Sequence, residues 1–402
     1  MNKTVKVDSK SIEGIIYVAF LLGYLLQTSY LPTQFRSIRV IMISCYCVGY
    51  LFCAFKLLTF KYTAKCFVLT LIFVLTGIAT LISNKSIDYI IASTMLNFLL
   101  VTICVKSISL EKIIRIDLIA KISFTLILVI LCCCNVVKNV MTTRISGAVR
   151  YSMGFAHPNR FGAMLFLIVL YLAYVRREKL NLKDIFFQLF IFVVTYKLTD
   201  SRSSELGIAI VIIFTVLSLL HKRRKSKNFS KTQRYIIVIV AISMIAEMFY
   251  LAANYDSNNS KMSILNMLFN SRLELGGLTL KYYKPSLFGA GIQTYAWEDV
   301  LSQGMSHALV GSDILYLYIY LNYGIISLFI YLYVIVVAII YAAKNDKWGC
   351  LSLIIILMVS CMENQYLPVA SNVFVLYFGM YLKNPRMKRI QVGACLLYTS
   401  PS

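Results

Sequence analysis

Acidic side chains are scarce in this chain. Asp and Glu number 17 among 402 residues, against 40 Lys and Arg, and charged residues of both signs make up only 14%. Soluble domains carry about a quarter charged residues, so a soluble fold is excluded for the bulk of the chain. Histidine is nearly absent, with three residues, and no Cys-x-x-Cys pair occurs among 11 Cys. A zinc site draws on such ligands at set spacings, so no metal is expected. Most cysteines lie inside apolar runs, "CCC" at 132–134 included. There a thiol behaves as a small apolar side chain, and no disulfide framework is read. Proline numbers six, and no low-complexity linker divides the chain.

Apolar residues fill the space. They make up 59% of the sequence, in runs that recur from end to end. A run of about 20 apolar residues crosses the hydrocarbon core of a bilayer as a helix. The reading is an all-α polytopic membrane protein, a single integral membrane domain over 1–393. About twelve spans are expected, near 12–30, 37–56, 66–83, 88–105, 117–136, 160–175, 184–199, 203–220, 235–253, 324–343, 348–362 and 367–382. The first lacks a small-residue cleavage site and is expected to be a retained span. The end, "ACLLYTSPS" (394–402), resembles a translated adapter and is set aside as a non-native tail.

The net charge of +23 does not point to nucleic acid. The basic residues sit in short clusters between the runs, the densest being "HKRRKSKNFSKTQR" (221–234). With the N-terminus cytoplasmic, Lys and Arg favour the cytoplasmic segments by roughly two to one, as the positive-inside rule demands. Both termini are then cytoplasmic, His221 falls in the cytoplasmic cluster, and two sizeable loops, 137–159 and 254–323, lie outside. Long loops are uncommon unless functional. Within the second, "MSILNMLF" (262–269) and "DILYLYIYL" (313–321) read as amphipathic or re-entrant helices.

Four outward stretches carry polar residues that a bilayer disfavours: "RYSMGFAHPNRFG" (150–162), "KLTDSRSSELG" (197–207), "NSRLELGGLTLKYYKPSLFGAGI" (270–292) and "SHALVGSDILYLYIYLNYGII" (306–326). Arg202 stands at a tight turn among Ser201, Ser203 and Ser204. Its fork of donors matches phosphate oxygens, and a helix beginning there adds a favourable dipole. A snorkelling Arg with a serine cap explains the same residues. Arg150, Arg160 and Arg272 share that outer side against the charge trend, which points to an anionic ligand such as a lipid diphosphate, or to anionic headgroups. His157 could titrate near neutrality or order the turn before Pro158. His307 is equally open. Asp313 and Glu205 are outward carboxylates that could accept a proton or cap helices.

Taken in order, these stretches resemble the O-antigen polymerase and ligase superfamily, and more narrowly the Wzy-type capsular polysaccharide polymerases. "GFAHPNRFGAMLFL" is similar to the family's Gly-Phe then Pro-Asn entry into a span, with His157 and Asn159 in the turn. "TDSRSSELGIAI" is similar to its Ser-Arg turn, here Ser201 and Arg202. "SRLELGGLTLKYYKPSLFGAGI" is similar to a pattern of Arg, short helix, Pro and Gly-x-Gly, here Gly289 and Gly291. "DILYLYIYLNYGIISL" is similar to the segment leading into the next span. Ligase members usually carry His where this chain has Asp313, a departure that argues against ligase and leaves the base open between Asp313 and His307. The resemblance implies a GT-C-like architecture with a large outer loop. The implied enzyme is a metal-independent glycosyltransferase of a bacterial plasma membrane, needing no cofactor. It would transfer a glycan from undecaprenyl diphosphate to the non-reducing end of another lipid-linked repeat unit, for capsule or related surface polysaccharide. Arg202 and Arg272, with Arg150 or Arg160, would grip the diphosphate. Its implied partners are the lipid-linked units, membrane lipid, a flippase and a chain-length regulator. A glycan ligase and a lipid-linked oligosaccharide flippase are the alternatives.

Overall fold

The computed structural model describes residues 9–59, 64–84, 94–143, 147–220, 229–284, 286–289 and 312–383. His307, Gly291, His221 and the tail 394–402 lie outside the described residues. The chain is an all-α membrane protein. Seven described helices are long and apolar enough to cross a bilayer: Ser9–Thr28, Arg36–Thr59, Leu110–Cys133, Pro158–Arg176, Arg202–Leu220, Lys231–Ala253 and Leu315–Asn345. Four shorter apolar helices accompany them, at Cys66–Thr80, Met95–Cys104, Lys347–Ser360 and Val373–Lys383. Seven of the twelve spans read from hydropathy fall on these long helices and four on the shorter ones, while 184–199 falls on the helix Leu182–Thr199; apolar length marks a buried broken segment and a continuous span alike.

Six elements position the polar site and are labelled here. They are α1 (Ser9–Thr28), α2 (Leu110–Cys133), α3 (Pro158–Arg176), α4 (Arg202–Leu220), α5 (Leu315–Asn345) and α6 (Lys347–Ser360). Helix α3 is central: 78% of its apolar window is buried, against 22% for Lys231–Ala253 and 17% for Arg36–Thr59. A helix apolar on every side belongs inside a bundle or against lipid, and these helices divide between the two.

Two breaks depart from continuous spans. The first is at Gly324 inside α5, with φ 87° and ψ 173°. The nine residues before it, Leu315–Tyr323, rise only about 13 Å as a helix, too short to cross. The stretch 313–321, read as an amphipathic or re-entrant helix, is helical from Leu315. The break frees amide N–H groups, and a second strand of chain takes them up. Ile325 N donates to Ser286 O at 3.0 Å, and Ile326 N donates to Leu287 O at 3.3 Å. Both backbones come so close that a Cβ on Gly324 would lie 2.3 Å from Leu287 O, and one on Gly289 would lie 2.0 Å from Asn322 O. Gly289 also has a positive φ of 102°. Its place in the sequence pattern thus has a packing cause.

The second break follows α6. That helix has 14 residues, about 21 Å, short of a bilayer core of about 30 Å. Residues 361–376 are then non-helical apart from two 3-10 turns, Asn364–Tyr366 and Val373–Leu376. All but Asn364 and Pro368 of this segment are buried. The apolar run at 367–382 is therefore not a simple span. Irregular backbone at membrane depth is tolerated where protein surrounds it.

One end of the bundle is pinned by ion pairs and phenols. Arg177 meets Glu111 at 3.0 Å and Arg176 meets Asp184 at 2.5 Å. The hydroxyls of Tyr174 and Tyr377 both donate to Asp346 Oδ2 at 2.6 Å. Near that end Glu13 pairs with Lys56 and accepts the backbone N–H groups of Lys106, Ser107 and Ile108. The opposite end gathers the described parts of the outward stretches singled out in the sequence.

Gly324→Ala tests the first break. Left-handed backbone at a non-glycine residue costs about 1–3 kcal/mol, and the close carbonyl adds to it. The expected result is a clear drop in melting temperature of the detergent-purified protein; an unchanged melting temperature contradicts the packing described.

Candidate functional site

The site is built from four pieces of chain whose local conformations the sequence dictates. In 150–162, Met153 and Gly154 are both left-handed, with φ of 48° and 86°. The turn is tied to the end of α1: Tyr30 N donates to Gly154 O at 2.9 Å, and Ala156 N donates to Thr28 O at 3.0 Å. Phe155, fully buried, stacks on Phe161 with centroids 5.4 Å apart. His157 then caps α3. Its Nδ1 accepts from Asn159 N at 3.1 Å, and Pro158 takes the first helical position, where its missing N–H costs nothing. The helix entry read from Pro-Asn is thus present, with His157 as the cap.

Ahead of it, residues 137–159 are not a plain loop. Met141–Thr143 and Val149–Tyr151 pair antiparallel, with Thr142 opposite Arg150. This ribbon delivers Arg150, buried, to the C-terminal end of the helix Leu182–Thr199. Its Nε donates to Thr199 O at 2.6 Å and its Nη2 bonds Asn159 Oδ1. A cation on the last carbonyl of a helix is favourable. Arg150 is therefore a brace that fixes Asn159.

Asn159 Nδ2 donates to Glu363 Oε1 at 3.0 Å. The same oxygen accepts Ser203 Oγ at 3.0 Å and Arg272 Nη2 at 2.5 Å. Glu363, in the irregular segment after α6, is the hub of the site, and sequence reasoning missed it. It sits at the end of an apolar run, in "CMENQY", where a carboxylate is costly to bury; that cost is the signal which could have found it.

Arg272 begins a short helix, Arg272–Tyr282, after Asn270 and Ser271, both left-handed. It is only 4% exposed. Its Nε lies 3.6 Å from Asp313 Oδ2 and makes no hydrogen bond, since that distance is too long for one. The Asp313 side chain is 42% exposed, so it forms the open edge of the cluster. Arg160 is half-buried beside it. Its charge acts on Glu363, Asp313 and His157, yet no hydrogen bond or ion pair engages its guanidinium among the described residues.

Arg150, His157, Asn159, Arg160, Arg272 and Asp313 therefore come together, with Ser201 behind them, its hydroxyl 3.0 Å from that of Ser204. Arg202 does not join them. It is exposed and donates to Met267 O at 3.0 Å, because it opens α4 on the side away from Ser203. Glu205 lies one turn into α4.

His157 is pushed down from 6.5 to about 4, first by burial and then by Arg150, Arg160 and Arg272. A proton on it is disfavoured in the fold, so the unfolded chain protonates first as pH falls. The stability tied to its neutral form is complete above 6.5 and is lost between 6.5 and 4. A titration of His157 by NMR is expected to have its midpoint near 4, and a midpoint near 6.5 contradicts the burial described. The chain matches no family model, no curated protein and no solved structure.

Proposed function

We propose that the chain is a polysaccharide polymerase. It would transfer a growing glycan from undecaprenyl diphosphate to the non-reducing end of another lipid-linked repeat unit, at the outer face of a bacterial plasma membrane. The observation that carries this reading is Arg160, a half-buried guanidinium without a bonded partner among the described residues. It stands beside a buried Arg272 whose Nε still lacks an acceptor. Two cations with donors to spare at the end of a membrane bundle suit a lipid diphosphate, whose oxygens match the guanidinium fork.

In this mechanism Arg160 and Arg272 hold the diphosphate and stabilise the charge that grows on it as the glycosidic C–O bond breaks. Asp313, exposed at the rim and next to Arg272, takes the proton from the attacking acceptor hydroxyl. Glu363 holds Arg272 in place from behind, and Arg150 orients Asn159 against Glu363. Membrane lipid surrounds the site, and a flippase and a chain-length regulator would act on either side of it. The ligase alternative places the same chemistry on a different acceptor.

A transporter of lipid-linked oligosaccharide is the second reading. Asp117 and Lys121, both fully buried in α2, favour it, because intramembrane charges often mark transport pathways. Their contacts are closed, however: Tyr17 donates to Asp117 at 2.8 Å and Lys121 donates to Ala370 O at 2.6 Å.

Glycan length in cells separates the readings. Arg160→Ala and Arg272→Lys are each expected to lower polymer formation at least a hundredfold, the scale of losing one transition-state donor. Single lipid-linked repeats would remain. Arg202→Ala is expected to cost far less. Full-length polymer in the Arg160 and Arg272 variants overturns the assignment, and loss of the single repeats as well favours transport.

A further inference from the structure

The irregular segment 361–376 bears Glu363 at one end and dips back into the bundle. Its backbone is partly self-satisfied: Ser371 N and Asn372 N both turn back to Pro368 O, at 2.9 and 3.1 Å. The Ala370 carbonyl is met from another helix. Lys121, at the middle of α2, donates to it at 2.6 Å. Three residues on, Val373 N donates to the Tyr171 hydroxyl of α3 at 3.4 Å. The ring of Tyr171 also lies 5.1 Å under the Lys121 ammonium, and that of Tyr24 lies 5.9 Å away.

A lysine ammonium at full burial needs a counter-charge and acceptors. Asp117, one turn earlier on α2, supplies the charge, and Tyr17 of α1 fixes the other Asp117 oxygen at 2.8 Å. Among the described residues, the hydrogen bond that Lys121 makes beyond the pair goes to a backbone carbonyl seven residues from Glu363.

We propose that the Asp117–Lys121 pair is a positioning latch. It holds the broken segment at Ala370 so that Glu363 reaches Arg272, Ser203 and Asn159. Where the latch bears on glycan transfer it rests on the reading above; the anchoring of the segment does not.

Cys361, two residues before Glu363, and Cys350, near the start of α6, are native reporters, 4% and 0% exposed. The test labels the full-length protein in membranes with N-ethylmaleimide and reads each cysteine by peptide mass spectrometry. Asp117→Asn with Lys121→Met removes both charges together, so no unpaired charge stays buried. The expected result is at least tenfold faster labelling of Cys361 with Cys350 unchanged. Equal Cys361 rates in the wild type and the double variant overturn the latch. A parallel rise at both cysteines also overturns it, because it marks general loosening. Polymer length is measured on the same cells. Faster Cys361 labelling with undiminished polymer supports the latch and removes Glu363 from the proposed reaction. Slow Cys361 labelling with lost polymer overturns the latch and leaves the proposed reaction standing.

Discussion

A guanidinium withdrawn from water must be met by carboxylate and hydrogen bonds, or it will not stay withdrawn. Arg272 meets that demand through Glu363, and the geometry of the polar end follows from it. Glu363 Oε1 is shared by Arg272, Ser203 and Asn159. One oxygen therefore fixes the starts of three helices against the irregular segment after α6. Asn159 is turned toward it by Arg150, and Arg150 is carried there by the two-stranded ribbon. What is left over is Arg160 and the Asp313 rim, and the proposed chemistry lies in those unspent groups.

The same logic of satisfied backbone governs the two breaks in the bundle. At Gly324 the freed N–H groups of Ile325 and Ile326 are taken by the carbonyls of Ser286 and Leu287. In 361–376 the carbonyl of Ala370 is taken by Lys121. Each break lets an irregular segment enter an apolar bundle with these freed backbone groups paired, as membrane depth requires. Lys121, paired with Asp117, thus meets a local backbone need.

Much of the membrane character could be read from the sequence, since runs such as 203–220 and 235–253 became the helices Arg202–Leu220 and Lys231–Ala253. Hydropathy counts apolar residues without knowing whether lipid or protein surrounds them. It therefore could not tell the buried, broken run at 367–382 from a span. In the site, the stretch 150–162 and Arg272 were legible because arginine in an apolar setting is rarely idle. Arg202 drew attention for the same reason, but one helical position decides which way a side chain faces, and its neighbour Ser203 took the inward place. Glu363 was hidden because its partners are 91 to 204 residues distant in sequence. His157 was legible as a polar residue at a turn, and its capping bond to Asn159 N gives it a structural duty there.

The polar end depends most directly on the coupling between Arg272 and Glu363. A double-mutant cycle with Arg272→Ala, Glu363→Ala and the pair, measured as unfolding free energy in bilayers by steric trapping, isolates it. Removing one member of a buried pair costs about 3–5 kcal/mol. Each single variant is predicted to fall in that range, with the double variant costing little more than one of them. Costs that simply add would contradict the account, because the two residues would then be acting apart.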